Sequence, residues 1–409
     1  MQKKTFRVLA FCETNTKYGR EILEGVSQFA REKNWILSFE QRGRFELSFD
    51  RYLPSTADGI ISRTIHFSAN EILEKSGVPF VELMGAVPRN QNGKKTLSRK
   101  KFSDIGTDEN ALAKMIADHF IERGLRQFAY YDMENVPMFY PRRNAYLEYL
   151  SSLDYSCHVY PSTWTCQDCY FPQWHEKYRK RLSKWLLALP KPIGLFASLD
   201  QCGQIVLELC QELGIRVPQE ISLVAVGNDK WICRMMNPAM SSVNCNSFAV
   251  GYLAAALLEK KMRHEPIASN ANTGGGTTVQ PQYLAIRQSS DFYSVGDPDI
   301  EKALLFIREN ACNRIQLKDI LNEVIISQRT LYRGFDKYIH RTPQAEILRV
   351  QMEEAKCLLR ETQFSIACIA RRTGFSNAIY FIQVFRRECG MTPNVYRIQN
   401  RFGSVMEEY

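Results

Sequence analysis

The chain has 409 residues, enough for two to four domains that each bury a core, which excludes a disulfide-stapled or metal-dependent peptide. Hydrophobic residues make up 45% and charged residues 24%, with 22 Gly and 16 Pro, so the chain should fold throughout rather than stay disordered or form fibres. The net charge of +9 points to an anionic partner, no apolar run approaches a bilayer span, and the 12 scattered cysteines read as reduced thiols of a cytoplasmic protein.

From Phe6 to about Ile286, short apolar runs alternate with amphipathic stretches. Arg7 to Phe11 predicts a buried strand, and Tyr18 to Lys33 predicts a helix with Ile22, Leu23, Val26, Phe29 and Ala30 on one face. Gly59 to Ser62 predicts a strand, Ala69 to Ser76 a helix and Pro79 to Leu83 another strand. Pro88 to Lys101, with six basic residues, predicts a solvated loop. Asn110 to Arg123 predicts a helix ended by Gly124, followed by a strand over Gln127 to Tyr131.

A second set begins near Tyr155. Cys166 and Cys169 form a C-x2-C pair, but no second pair follows, so they read as loop thiols, with a thiol- or metal-sensing role as the alternative. Trp174 to Leu189 predicts a helix, Ile193 to Ala197 a strand, Gln201 to Leu213 a helix ended by Gly214, and Ile221 to Val226 a strand. Strand and helix repeated in this way imply parallel sheets in two lobes with a cleft between them. Ligands in such sheets bind beyond the carboxyl ends of the strands, which makes Asn15, Tyr18, Arg142, Arg143, Asp200, Asn228 and Asp229 candidate effector-binding residues. Gly274-Gly275-Gly276 lacks the Lys-Ser/Thr ending of a phosphate loop and reads as a surface loop. The polar stretch Ser289 to Pro298 reads as a linker, so the chain divides into an effector-binding and dimerisation domain (1–288), a linker (289–298) and a helical domain (299–402).

The last quarter carries the sharpest pattern. From Cys312 to Phe402 there are 15 Lys and Arg against 8 Asp and Glu, the excess expected of a surface facing phosphates. Leu317, Ile320, Leu321 and Val324 predict a helix. Ser327 then caps a second one burying Leu331, Phe335 and Tyr338. Its other face offers Gln328, Arg329, Tyr332, Arg333 and Lys337, the residue types that read base edges and grip phosphates in a major groove. A second unit repeats the plan: Ser365 caps a helix with Ile366, Ile369 and Ala370 inward, and Gly374 turns. Ser376 then opens a helix burying Tyr380, Phe381, Val384 and Phe385, with Asn377, Gln383 and Arg386 outward. Gln344 to Arg360 predicts a helix bracing both units through Ile347, Val350, Ala355, Leu358 and Leu359. Two such units on one connector suit successive major-groove segments of double-stranded DNA.

The segment SIACIARRTGFSNAIYFIQVFRRECGMTPNVYR resembles the signature of the AraC/XylS family of transcription regulators, and ISQRTLYRGFDKYIHRTPQAEI fits the same pattern. The stretches ETNTKYGREILEGV, IGTDENALAKMIADHFIERGLRQFAYY and LFASLDQCGQIVLELCQELGIRVPQEISLVAVGND resemble the periplasmic-binding-protein-type effector domain of LacI/GalR regulators. In this order the two are similar to xylose-operon regulators of the XylR type. The resemblance implies a two-lobed α/β domain followed by an all-α domain with two helix-turn-helix units. It also implies a homodimeric activator that responds to a monosaccharide and works with RNA polymerase. Leu199, Cys202 and Gly227 depart from that family's Asn, Arg and Asp in the cleft loops, which leaves the identity of the sugar open. No Gly-x-Ser-x-Gly, His-Glu-x-x-His or phosphate loop is present, and no enzymatic activity, cofactor or metal is expected.

Overall fold

The computed structural model describes residues 5–39, 57–63, 73, 75–83, 105–132, 140–161, 176–266 and 277–401. The chain opens with β1 (Arg7–Phe11), whose residues from Val8 onward are buried. It continues into α1 (Lys17–Lys33), capped by the Thr16 hydroxyl accepting from Gly19 N at 3.1 Å. The buried face of α1 carries the five apolar residues that the 3.6-residue period picks out. β2 (Ile36–Phe39), β3 (Gly59–Ser62) and β4 (Phe80–Glu82) join β1 in a parallel sheet of order β2-β1-β3-β4, with Leu9 opposite Ile60.

β5 (Ile105–Thr107) ends the first lobe, and α2 (Glu109–Glu122), capped by Asp108, starts the second. There follow β6 (Phe128–Tyr131), α3 (Tyr140–Ser152), β7 (Cys157–Val159), α4 (Glu176–Ala188), β8 (Ile193–Ala197), α5 (Asp200–Glu212), β9 (Ile221–Val226), α6 (Lys230–Met235) and β10 (Ser241–Asn244). α7 (Ser247–Met262) returns to the first lobe against α1, β11 (Thr277–Val279) pairs with β5, and β12 (Tyr283–Ala285) runs antiparallel beside β10. The second sheet has the order β12-β10-β9-β8-β6-β7. Among the described residues the chain therefore crosses between the lobes three times, after β5, β10 and β11.

Both faces of the second sheet are covered, which is why its strands read as unbroken apolar runs. Ala129 and Tyr131 pack on one side with Ile205, Val206 and Leu223. Phe128 and Tyr130 pack on the other with Ile116, Phe120 and Phe196. In the first lobe α1 and α7 touch backbone to backbone. A Cβ on Gly25 would lie 2.1 Å from Phe248 O, and one on Gly251 would lie 2.0 Å from Ile22 O.

The helical domain comprises α8 (Pro298–Asn310), a short 3-10 turn (Ala311–Asn313), α9 (Leu317–Val324), α10 (Gln328–Ile339), α11 (Pro343–Glu361), α12 (Ile366–Arg372), α13 (Ala378–Cys389) and α14 (Pro393–Arg401). Leu331 and Phe335 are fully buried with Ile320 in one core, and Phe381 and Phe385 with Ile369 in another. The long helix α11 spans both, presenting Ile347 and Val350 to the first core and Met352, Ala355, Leu358 and Leu359 to the second.

Two local expectations are overturned. Asn377, not Ser376, caps α13, its Oδ1 accepting from Tyr380 N at 2.8 Å. Tyr380 is 53% exposed because Phe381 takes the inward position next to it. The loop 88–101, Cys166, Cys169, the triple glycine 274–276 and most of the expected helix over 69–76 lie outside the described residues.

Of residues 289–298, expected as a linker, Ser289, Ser290, Phe292 and Tyr293 are buried along the seam between the domains. The Ser289 hydroxyl accepts from Ser241 N at 2.8 Å and donates to Leu223 O at 2.7 Å, and Ser290 meets His119 Nε2 at 2.8 Å. Asp291 pairs with Arg349 at 3.0 Å and Arg123 at 3.5 Å. Against its burial, Arg349 and Arg123 hold its carboxyl below the usual range. Tyr293 joins the first core of the helical domain, with Arg123, Arg341 and Arg349 around its ring.

Candidate effector cleft and nucleic-acid interface

The carboxyl ends of the two sheets face each other across a polar cleft. From the first lobe come Glu13 after β1, Arg63 after β3, and Lys17 and Tyr18 at the start of α1. Glu13 and Arg63 form a buried ion pair, and the Arg63 guanidinium lies 4.7 Å from the Tyr18 ring centroid. The Tyr18 hydroxyl is 3.4 Å from Thr107 Oγ1, and burial pushes it up to about 12. From the second lobe come Asp132 after β6, Asp200 after β8, and Asn228 and Asp229 after β9.

The lobes are bridged directly. Lys17 Nζ donates to Gly227 O at 3.5 Å, and Arg20 pairs with Asp229 at 3.3 Å. Asp229 also caps α6, accepting from Trp231 N at 3.1 Å.

Asp200 accepts from Asp229 N at 2.6 Å and from the Ser242 hydroxyl at 2.5 Å, and Ser242 accepts from Asn228 N at 2.9 Å. It therefore positions the β9 loop. Burial pushes its carboxyl up to about 6, opposed by those donors. Asp132, 4% exposed, is likewise raised to about 6 by burial, with Arg143 pulling the other way. Arg142 is buried in a two-pronged pair with Glu109, at 2.7 and 2.9 Å, and donates to Ser198 O at 2.6 Å, so it ties the β8 loop to α2. Arg143 is half-buried over the Tyr140 ring, and Asn15 is exposed in the loop after β1.

The three family departures have local explanations. Gly227 adopts φ 127°, and a Cβ there would lie 2.8 Å from Asp200 Oδ2, so this backbone has no room for Asp. Cys202 is fully buried in the lobe core, its sulfur 3.4 Å from the Ser198 hydroxyl, and Leu199 packs half-buried beside it. Sequence reasoning missed Glu13, Arg63 and Asp132. Arg63 and Asp132 directly follow a strand end and Glu13 lies two residues beyond one, and that nearness was the available signal.

One further residue links the cleft to the helical domain. Arg287, just after β12, donates to Asn228 Oδ1 at 2.7 Å, to Met240 O at 2.9 Å and to Glu361 Oε1 at 2.7 Å. Glu361 ends the brace helix α11 and also pairs with Arg234 of α6. Against its own burial, Arg287 and Arg234 hold the Glu361 carboxyl below its usual range.

On the helical domain, Gln328, Arg329, Arg333 and Lys337 are exposed along α10, and half-buried Tyr332 donates to Gln344 at 2.8 Å. On α13, Gln383 and Arg386 are exposed, while the side-chain oxygen of Asn377 is engaged by its cap. No helix among the described residues is long and apolar enough to cross a membrane, and none of their His, Cys, Asp and Glu side chains group to hold a metal ion.

Residues 117–290 match the family model described as a periplasmic binding protein-like domain, and residues 320–399 match a helix-turn-helix domain. The chain is 28% identical over 406 residues to the xylose operon regulatory protein of Haemophilus influenzae, covering 97% of this chain and 100% of that one. It is 27% identical to its Escherichia coli K12 counterpart over 405 residues, covering 98% and 99%. The solved structure of the xylose-binding transcription activator XylR superposes with a TM-score of 0.64 at 26% identity, covering 98% of this chain and 100% of that one.

Proposed function

We propose that this chain, a DNA-binding transcription regulator joining a periplasmic-binding-protein-like domain to an AraC-type pair of helix-turn-helix units, is a cytoplasmic homodimeric activator switched by a monosaccharide, most simply a pentose such as xylose. The observation that carries the reading is the continuity from cleft to DNA-facing domain: Asp200, Ser242, Asn228, Arg287 and Glu361 are linked in sequence by bonds of 2.5 to 2.9 Å. Sugar hydroxyls are held by carboxylates, amides and guanidinium groups that each make several hydrogen bonds, and the cleft supplies Glu13, Arg63, Asp132 and Asn228. A sugar that engages the β9 loop biases the position of Asn228, hence of Arg287, hence of the brace helix on which both units ride. That bias can be no larger than the sugar's differential affinity for the two arrangements. Two copies so set would present Arg329, Arg333, Gln383 and Arg386 to adjacent groove segments, beside RNA polymerase.

A thermal-shift screen of aldopentoses and aldohexoses tests the sensor, since a ligand at a hundred times its Kd adds about 2.7 kcal/mol of stability. Binding of a promoter duplex with and without the stabilising sugar tests the coupling. If no sugar raises the melting temperature, the cleft is a scaffold and the sensor reading fails.

A further inference from the structure

The two helix-turn-helix units align residue by residue along the chain with an offset of fifty. The cap Ser327 corresponds to Asn377, buried Leu331 and Phe335 to Phe381 and Phe385, and the closing Thr342-Pro343 to Thr392-Pro393. This alignment identifies equivalent outward positions on the two recognition helices. On α10 the stripe at i, i+3, i+4 and i+7 is Arg329, Tyr332, Arg333 and Asp336. On α13 the same stripe is Ile379, Ile382, Gln383 and Arg386. Ile379 is 72% exposed and Ile382 37%, large aliphatic side chains standing in water at the place where the first unit puts Arg329 and Tyr332.

A lone exposed apolar residue is ordinary, but here two lie on one helical face. They are flanked by Gln383 and Arg386 on the same helix and by exposed Arg371 and Arg372 at the end of the preceding one. That rim is cationic, so the occupant is a polyanion with an apolar spot at helix-stripe spacing. In the major groove the 5-methyl group of thymine is that spot.

We propose that Ile379, backed by Ile382, reads thymine methyl groups, so that the second unit selects a thymine-bearing half-site by apolar contact while the first reads base edges through Arg329 and Arg333. This rests on the DNA-binding reading of the domain and assigns chemistry within it. The binding site is then bipartite and chemically unlike in its two halves.

The test uses the full-length protein and a pool of random-sequence duplexes. After selection, each thymine in the enriched sequence is replaced by deoxyuridine, which removes only the methyl group. Wild type should lose about three- to tenfold in affinity at one or two thymines of one half-site, the scale of burying a single methyl group. Ile379→Ala should bind the thymine and deoxyuridine duplexes equally, while Arg333→Ala keeps the methyl dependence. Ile379→Arg, which restores the residue of the first unit, should shift the selected base toward guanine. Enrichment with no deoxyuridine effect, or with an effect that persists in Ile379→Ala, overturns this assignment alone. A pool that shows no enrichment overturns the DNA reading and this assignment with it.

Discussion

Removing Glu361 from the end of the brace helix should uncouple the cleft from the DNA-facing domain. The Glu361 and Arg287 side chains are each 7% exposed, and Arg287 Nη2 lies 2.7 Å from the carboxylate. Deleting one partner of a buried pair costs about 3 to 5 kcal/mol, because the other charge is left in a poor medium. In Glu361→Ala, Arg287 would still have Asn228 Oδ1 and Met240 O as acceptors, and Arg234, 44% exposed, is largely hydrated already. The loss should therefore fall at or below the lower end, about 2 to 3 kcal/mol, or roughly 30- to 150-fold in the equilibrium between seated and released brace helix.

That energy belongs to the seam and not to either core, since Leu358 and Leu359 stay packed on the second unit. The expected signature is an effector-dependent change in DNA affinity reduced toward one, with DNA affinity in the absence of effector retained. It is read by fluorescence anisotropy on a labelled promoter duplex with and without the sugar. Glu361→Gln, which keeps an acceptor but removes the charge, should fall between the two. pH gives a second check. The folded-state value of Glu361 is depressed, so its contribution is complete above the usual glutamate value and is lost as pH falls through the depressed one. The part of the coupling that Glu361 carries should accordingly be constant from pH 8 to about 5. If Glu361→Ala responds to effector like wild type, the seam does not transmit, and the mechanism is wrong at that step.

Asp132 has a folded-state value of about 6, raised from 3.8 chiefly by burial. Its contribution to stability is therefore present below 3.8 and lost as pH rises through about 6. Asp132→Asn should raise the stability of the sugar-free protein at pH 7.5 by up to about 3 kcal/mol, and by much less near pH 4, while weakening the effector. An equal melting shift at both pH values would refute the assignment. Gly251→Ala places a methyl group 2.0 Å from Ile22 O and must part α1 from α7, lowering stability by about 1 to 3 kcal/mol or more in urea titration; an unchanged midpoint would mean the helices can separate freely. Ile325, 90% exposed at φ 49°, caps α9 in a conformation that disfavours β-branched side chains. Ile325→Gly should thus stabilise the protein by about 1 kcal/mol once the extra freedom of unfolded glycine is deducted, and a lower melting temperature would contradict this.

How far the sequence spoke depended on whether a signal was local. The buried strand from Val8, the helical face of Ile22, Val26 and Phe29, and the Ser327 and Ser365 caps follow from periodicity and capping chemistry within a few residues, and they stand where pattern reasoning put them. The short strands Ile105–Thr107 and Thr277–Val279 were not legible, because each exists only by pairing with a strand over 160 residues away. The cleft behaves the same way. That Asp200 lies beyond a strand end could be read from the run before it. That its two oxygens are taken up by Asp229 N and Ser242 depends on the crossing of β8, β9 and β10.

The seam was hidden for a further reason. Arg287 and Glu361 are 74 positions apart, and each alone looks like a solvated surface charge. Asp291 and Tyr293 sit in a stretch whose polarity reads as a linker, yet Asp291 is half-buried and Tyr293 buried against Arg349 of the brace helix. A polar composition signals exposure only when no partner of opposite charge awaits it. At a joint that, on the proposed mechanism, holds two domains in one orientation and still releases them, paired charges serve better than an apolar patch. A pair that loses one hydrogen bond to a moved Asn228 weakens by a large fraction of its strength, whereas apolar contact would yield only gradually. The same residues that made this segment look like a tether therefore make it suited to transmit the state of the cleft.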